Sequence, residues 1–327
     1  MSTDSWLPDR ELLQHGLSTI FGDNASPTTL LERRKNTYTS SFGSEIVTCR
    51  LSNGQELELF VKYGRPGADS GQDFWGNTNI EAAVYRDILQ PLSLTSATFY
   101  GAFTDEIYEY TWLVIAYLGE AYRLNRTPRA RQALGWSARW LGQFHAATEV
   151  EVSTGSYPQL RAHTADYYCG WVNHVHDSTR PFHGQYPWVP TLCRRFKEDI
   201  PMLTATPQTV IHGEYYPMNI LVDGERIYPI DWQTAAVARG ELDLASLIEG
   251  WGDGSIVQTA IEEYCNARWQ GATPADFSQI LTIAQLYWPF RWLGSDPKWP
   301  DWADDDESRL DAGLEYLRLA GERAGLI

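Results

Sequence analysis

The sequence predicts an α+β fold of two lobes, a small antiparallel sheet followed by a larger, mainly helical region, and three observations carry that expectation. Short apolar-patterned runs flank Asn53-Gly54, the strongest short-range hairpin signal. From about residue 128 the apolar period changes from two to that of a helix. Late in the chain, a second pair of short strands encloses the turn Asp223-Gly224.

The first third reads as strands. A start at Leu30-Leu31 precedes a Ser/Thr-rich stretch at 37–41 that ends in Phe42-Gly43-Ser44, and residues 46–51 form the next run. In 55–62, Leu57, Leu59 and Val61 fall on one face and Glu56, Glu58, Phe60 and Lys62 on the other, so Lys62 ends a strand and points away from the aliphatic face. After a Gly- and Asp-containing loop at 64–76, the spacing of Ile80, Ala83, Val84 and Ile88 predicts a helix, capped from 77–79 and carrying Glu81 in its first turn. Runs at 97–103 and 111–118 read as two more strands around the polar stretch 104–110. Gly119 marks the seam between an N-terminal lobe, 1–118, and a C-terminal lobe, 119–327.

Beyond the seam, Leu134, Ala138, Leu141 and His145 share one stripe of a helix expected from about 128 to 148. Residues 153–207, rich in Tyr, His, Pro and Trp, give no clear element. The C-terminal stretch reads mainly as helices broken by Pro289, Pro297 and Pro300, with an acidic run at 304–307 as a solvated face or helix start. Trp288, Trp292, Trp299 and Trp302 are read as packing anchors, with a substrate wall as the alternative.

Composition bounds the partners. With 327 residues, 43% of them hydrophobic, the chain has material for one large or two medium cores. A net charge of −16 argues against nucleic acid or an anionic membrane as partner and would attract a cationic small molecule. No apolar run approaches the ~18 residues of a membrane span. Cys49, Cys169, Cys193 and Cys265 form no CxxC pair, and no secretory signal is evident, which fits reduced thiols in a cytoplasmic protein. His163, His174, His176 and His183 crowd one stretch but match no standard zinc spacing. The absence of G-x-x-x-x-G-K-[ST] removes P-loop kinases.

Residues 210–245 carry the chemistry. An apolar run ends in His212-Gly213-Glu214, Asn219 follows five residues after Glu214, and the strand 226–230 leads into Asp231-Trp232. The intervening hairpin lets Glu214, Asn219 and Asp231 converge at one end of a small ribbon. Phosphoryl transfer needs such a set: a carboxylate near the acceptor hydroxyl, and an amide plus a carboxylate to hold Mg²⁺ against the phosphates of a nucleotide.

The spacing resembles the kinase loop H-R-D-x-x-x-x-N followed by a metal-binding Asp, with Gly for Arg and Ile-Asp-Trp for Asp-Phe-Gly. In this combination the chain resembles the aminoglycoside phosphotransferase-like family of small-molecule kinases. Gly240-Glu241-Leu242-Asp243-Leu244-Ala245 and Leu141-Gly142-Gln143-Phe144-His145-Ala146 are similar to two further elements of that family, and the resemblance spans about 30–246.

The resemblance implies a protein-kinase-like two-lobed fold, ATP or GTP as donor, Mg²⁺, and a small hydroxylated acceptor. It implies that Lys62, aligned by Glu81, holds nucleotide phosphates, that Asn219 and Asp231 hold metal, and that Glu214 orients or deprotonates the acceptor. His212 and Asp243 are implied to brace the loop. Residues 37–44, ending in Ser44, take the place of a phosphate-cradling loop. Phe60, on the strand face of Lys62, lies either over the nucleotide base or in the core. His145 reads as a satisfied core histidine.

One departure matters. The family usually has Asp where this chain has Glu214, and a carboxylate displaced by about 1 Å can cost on the order of a hundredfold in rate. Glu and Asp are nonetheless both ionised near neutrality in their ordinary state, and Lys62, Asn219 and Asp231 are all present. The alternative is a pseudokinase, a module that binds nucleotide or ligand without turnover.

Overall fold

The computed structural model describes residues 7–22, 28–36, 42–64, 77–105, 110–119, 121–295 and 307–327. Expectations placed on 37–41, 65–76 and 106–109, on Pro297, Trp299, Pro300 and Trp302, and on 304–306 lie outside the described residues. Contacts divide the chain into two compact units, Met1–Ala133 with Pro217–Ala235, and Leu134–Tyr216 with Ala236–Ile327.

In the first unit, β1 (Thr29–Lys35), β2 (Ser44–Arg50), β3 (Glu56–Tyr63), β4 (Phe99–Asp105) and β5 (Tyr110–Ala116) form an antiparallel sheet ordered β1-β2-β3-β5-β4. Strand alternation sets its two faces. One presents Val47, Cys49, Leu59, Val61, Tyr63, Trp112 and Val114 to the core. Across this face lies α1 (Arg10–Phe21), burying Leu13 and Leu17 fully, at about 1.5–3 kcal/mol per side chain. Gly16 allows the close approach, because a Cβ there would stand 2.5 Å from the Trp112 ring. No helix is expected there from the sequence.

The other sheet face carries Phe60 and Lys62, opposite Ile46 and Ser44 in the β2–β3 ladder. The next element, α2 (Thr78–Ala83), starts where the Asn77 side chain accepts a hydrogen bond from the Ile80 amide at 2.8 Å, and it runs on as a π-helical stretch, Val84–Leu89. Further along, β6 (Tyr122–Arg123), β9 (Ile220–Asp223) and β10 (Arg226–Pro229) make a three-stranded ribbon. Its hairpin turns at Gly224, where φ is 63° and glycine carries no steric cost.

The helical unit contains α3 (Ala130–Ser153) from Leu134 on, α4 (Ala165–Ser178), α5 (Val189–Thr204), α6 (Glu241–Ile248), α7 (Gly254–Trp269), α8 (Phe277–Ser295) and α9 (Glu307–Arg323). A small sheet ordered β7 (Arg161–Ala162), β11 (Ala236–Ala238), β8 (Thr209–Ile211) accompanies them. Central to the unit is α8, which packs against α4, α5, α6 and α9.

Two differences from the sequence reading stand out here. Residues 153–207 hold two helices, with buried stripes at Tyr168, Trp171, Val172 and Val175 and at Val189, Leu192, Cys193, Phe196, Ile200 and Leu203. Pro289 does not break the chain into two helices, since α8 runs through it. An interior proline costs about 3 kcal/mol, and the burial of Tyr287, Trp288 and Phe290 on either side offsets it. No described helix is long and apolar enough to cross a membrane.

Candidate active site

In the first unit, Glu81 and Asp231 gather around one ammonium. Lys62 leaves the end of β3 on the face opposite α1, and its side chain is 4% exposed. It donates to Glu81 Oε2 at 2.6 Å, to Asp231 Oδ1 at 2.5 Å and to Gln233 Oε1 at 3.1 Å, and it lies 5.1 Å from the centre of the Phe42 ring. Burial alone would lower the Lys62 pKa, but the charges of Glu81 and Asp231 outweigh it and hold the group above its ordinary value. Lys62 is therefore a fixed cation.

Glu81 bridges two elements. Its other oxygen accepts the Trp232 backbone N–H at 3.2 Å, which ties α2 to the segment that follows β10. Trp232 is itself fully buried, its ring N–H donating to Pro229 O at 3.1 Å. Asp231 sits between them in a left-handed conformation, φ 69° and ψ 56°, which few residues other than glycine adopt readily. Its side chain is 30% exposed, so it is the edge of the cluster that meets solvent.

Asn219 is buried at the start of β9, and its carbonyl accepts the Ile230 N–H at 2.9 Å. The ribbon thus brings Asn219 and Asp231 to one end. Ser44 is buried opposite Lys62 in the ladder, its hydroxyl accepting from Asn36 at 3.0 Å. Phe60 is half-buried on the Lys62 face.

In the helical unit, Glu214 stands on a loop whose backbone is pinned on both sides. The Asp243 carboxylate accepts the His212 N–H at 2.6 Å and the Gly213 N–H at 3.0 Å, and the Glu214 N–H donates to His212 Nδ1 at 3.3 Å. Gly213 has φ 82°, a conformation that strains any side chain bearing a Cβ. Just past Glu214, the fully buried Tyr215 donates its hydroxyl to Ser137 O at 3.1 Å.

Side chains on α8 and in the loop itself hold the Glu214 carboxylate. Arg291 Nη2 donates to Oε1 at 3.1 Å and the Tyr216 hydroxyl donates to Oε2 at 3.3 Å. Behind the loop, His145 is fully buried, with Nδ1 2.9 Å from the Tyr264 hydroxyl and Nε2 3.4 Å from Asp243. Burial lowers its pKa, which favours the neutral ring. Gly240 must lack a side chain, because a Cβ there would stand 2.5 Å from both His145 Nδ1 and Arg268 Nη1. The rings of His176 and His183 lie 5.1 Å apart, and among the described residues no group of three or more His, Cys, Asp or Glu side chains is arranged to hold a metal ion.

Four neighbours of the site have no place in the sequence expectations: Phe42 as a ring under Lys62, Gln233 as its third acceptor, Tyr216 and Arg291. Arg291 had a signal. An arginine inside the aromatic run Tyr287-Trp288-Pro289-Phe290-Arg291-Trp292 is a charge in a helix that must be buried, and a buried charge needs a partner.

The phosphotransferase enzyme family matches the chain over residues 79–276. The chain belongs to that family. Among solved structures, it is similar to an aminoglycoside 2′-phosphotransferase in complex with GDP, with a TM-score of 0.65 at 13% identity, covering 96% of this chain and 98% of the other. The choline kinase LicA from Streptococcus pneumoniae gives a TM-score of 0.59 at 15% identity, covering 97% and 99%. A 2″-phosphotransferase bound to gentamicin gives 0.58 at 14%, covering 97% and 96%. At such identities the likeness is one of fold, the protein-kinase-like two-lobed fold with an antiparallel-sheet N-terminal lobe and a helical C-terminal one. A search of curated protein sequences gives no match.

Proposed function

We propose that this chain moves the γ-phosphoryl group of ATP or GTP onto a hydroxyl of a small molecule. The observation that carries the reading is the buried Lys62 cation, held by Glu81 at 2.6 Å and by Asp231 at 2.5 Å, on the sheet face opposite α1. A fixed, desolvated ammonium is worth far more to a phosphate than a solvated one. Family membership and the kinase-like fold support phosphotransfer, and the neighbouring structures with GDP, gentamicin and choline kinase activity in their names support a nucleotide donor and a small acceptor.

In this reading residues 1–118 bind the nucleotide and 119–327 carry catalysis and the acceptor. Lys62, aligned by Glu81, contacts the nucleotide phosphates; Phe60 lies against the base, and Ser44 closes the phosphate side. Glu214 accepts the proton of the acceptor hydroxyl or orients it for attack. The donors at the end of the ribbon, the Asp231 carboxylate with its 30% exposure and the Asn219 amide oxygen, suit Mg²⁺, which takes hard oxygen ligands and few of them from protein. When bound there, the ion supplies positive charge to the phosphates. The four free cysteines support a reducing, cytoplasmic setting.

The test is nucleotide turnover against a panel of amino alcohols, aminoglycosides and neutral polyols, with the parent, Asp231→Ala and Glu214→Gln. The expected result is a phosphorylated product from at least one acceptor, lost in both variants. Saturable nucleotide binding without product from any acceptor or from water, with Glu214→Gln indistinguishable from the parent, would identify a pseudokinase instead.

A further inference from the structure

A glutamate reaches farther than an aspartate and has one more rotor to fix, which costs side-chain entropy. The pinned backbone of 212–214 does not remove that freedom, because it ends at the Glu214 Cα. What removes it lies on α8. Arg291 Nη2 donates to Glu214 Oε1 at 3.1 Å, with side-chain exposures of 7% for Arg291 and 12% for Glu214. Tyr216 meets the second oxygen at 3.3 Å.

Arg291 is itself fixed. Its guanidinium carbon stands 5.3 Å from the centre of the Trp288 ring, and the Trp288 ring N–H donates to Leu242 O on α6 at 2.9 Å. The Phe290 ring stacks on Phe196 of α5 at 4.9 Å. The cation is therefore built into the packed centre of the helical unit. Other groups facing it are the Tyr167 and Tyr287 hydroxyls, 2.9 Å from each other, and His163, whose pKa the Arg291 charge helps to lower.

We propose that Arg291 is the positioning residue for Glu214: it holds the longer carboxylate in one place, so that glutamate does here the work a shorter side chain does from the same loop. The proposal rests on the phosphotransfer reading. It accounts for two features at once, a glutamate at position 214 and an otherwise costly charge within an aromatic helix. A buried pair of this kind gives geometry more than stability, because desolvation of both ions offsets most of their attraction.

The experiment is a mutant cycle on turnover, read as release of the nucleoside diphosphate with the best acceptor of the panel, or with water as acceptor. The variants are Arg291→Met, Arg291→Lys, Glu214→Asp, Glu214→Gln and the doubles with Arg291→Met. Arg291→Met is expected to lower kcat about 30- to 100-fold, as for a misplaced reacting group, with the nucleotide KM within twofold of the parent. Arg291→Lys should recover at least a third of that loss on a logarithmic scale. In the Glu214→Asp background, whose side chain is one methylene shorter and so holds its carboxylate farther from Arg291, Arg291→Met should cost less than threefold, and with Glu214→Gln the two losses should not multiply. A parent-like kcat for Arg291→Met, or the same loss in the Glu and Asp backgrounds, overturns the proposal and leaves phosphotransfer standing. A parent without turnover overturns the phosphotransfer reading and the positioning role with it. Thermal unfolding then decides the pair alone: Arg291→Met should be less stable than the double with Glu214→Gln, since only the single variant keeps a buried carboxylate that has lost its guanidinium.

Discussion

Lys62 and Asp231 are 169 residues apart in sequence and meet at 2.5 Å, and Glu81 holds the same ammonium from α2 at 2.6 Å. Three separate elements, β3, α2 and the segment after β10, thus depend on one charge. Removing it leaves Glu81, whose side chain is 2% exposed, as a buried carboxylate without its counterion.

The Lys62→Met variant is accordingly expected to lose about 3–5 kcal/mol of stability, the cost of breaking a buried pair from one side. Nucleotide affinity should fall at least tenfold. Urea unfolding followed by tryptophan fluorescence, together with a nucleotide titration, measures both. A double variant, Lys62→Met with Glu81→Leu, should regain part of the stability and none of the affinity. Equal stability of Lys62→Met and the parent would show that the ammonium does not hold these elements together.

Asp243 does for the Glu214 loop what Glu81 does for the segment after β10. Its two oxygens accept the backbone N–H groups of His212 at 2.6 Å and Gly213 at 3.0 Å in a fully buried setting. Asn in its place keeps the shape but turns one acceptor into an N–H₂ donor aimed at an N–H. Asp243→Asn should cost about 1.5–3 kcal/mol, the value of a charge-assisted hydrogen bond in the interior. All the partners named lie in the helical unit, so turnover should fall at least tenfold while nucleotide affinity stays within twofold of the parent. Loss of nucleotide binding in a folded Asp243→Asn protein would contradict that assignment.

The parts legible in the sequence were those with a short period or a short spacing. Leu57, Leu59 and Val61 alternate with Phe60 and Lys62, and the structure puts Leu59 and Val61 in the α1-facing core with Lys62 on the other side. The hairpin at Asp223-Gly224 followed from turn chemistry alone. What escaped falls into two classes. Helices α4 and α5 do show helical stripes, but these mix Tyr, Trp, Cys and Phe with Val, Leu and Ile, and in α5 Pro201 interrupts the pattern. In α1, Gly16 occupies a contact position, so the stripe Leu13, Gly16, Leu17 looks broken although the missing side chain is what lets Trp112 in. The second class is pairwise. Gln233 reaches Lys62 across 171 residues and Arg291 reaches Glu214 across 77, and no local pattern encodes a partner at that distance.

The same pairwise logic applies to protons. His163 is buried with its ring 3.9 Å from the Tyr167 ring, and its Nδ1 has no hydrogen-bond partner among the described residues. Burial, aided by the charges of Arg291 and Arg161, pushes its pKa from 6.5 down to about 3. The unfolded chain therefore binds this proton more readily than the folded one. Stability from His163 is complete above about pH 6.5, declines as pH falls through that value, and stops declining near the folded value of about 3. Between about pH 7 and 5 the loss amounts to about 2 kcal/mol from this residue. His145, also buried and lowered, adds a loss of the same sign. His163→Phe keeps an aromatic ring beside Tyr167 and carries no proton, so it should retain about 2 kcal/mol more stability at pH 5, relative to pH 7, than the parent does. Urea unfolding of both proteins at the two pH values measures the difference, and identical pH dependence would mean that His163 is already accessible to protons in the folded state.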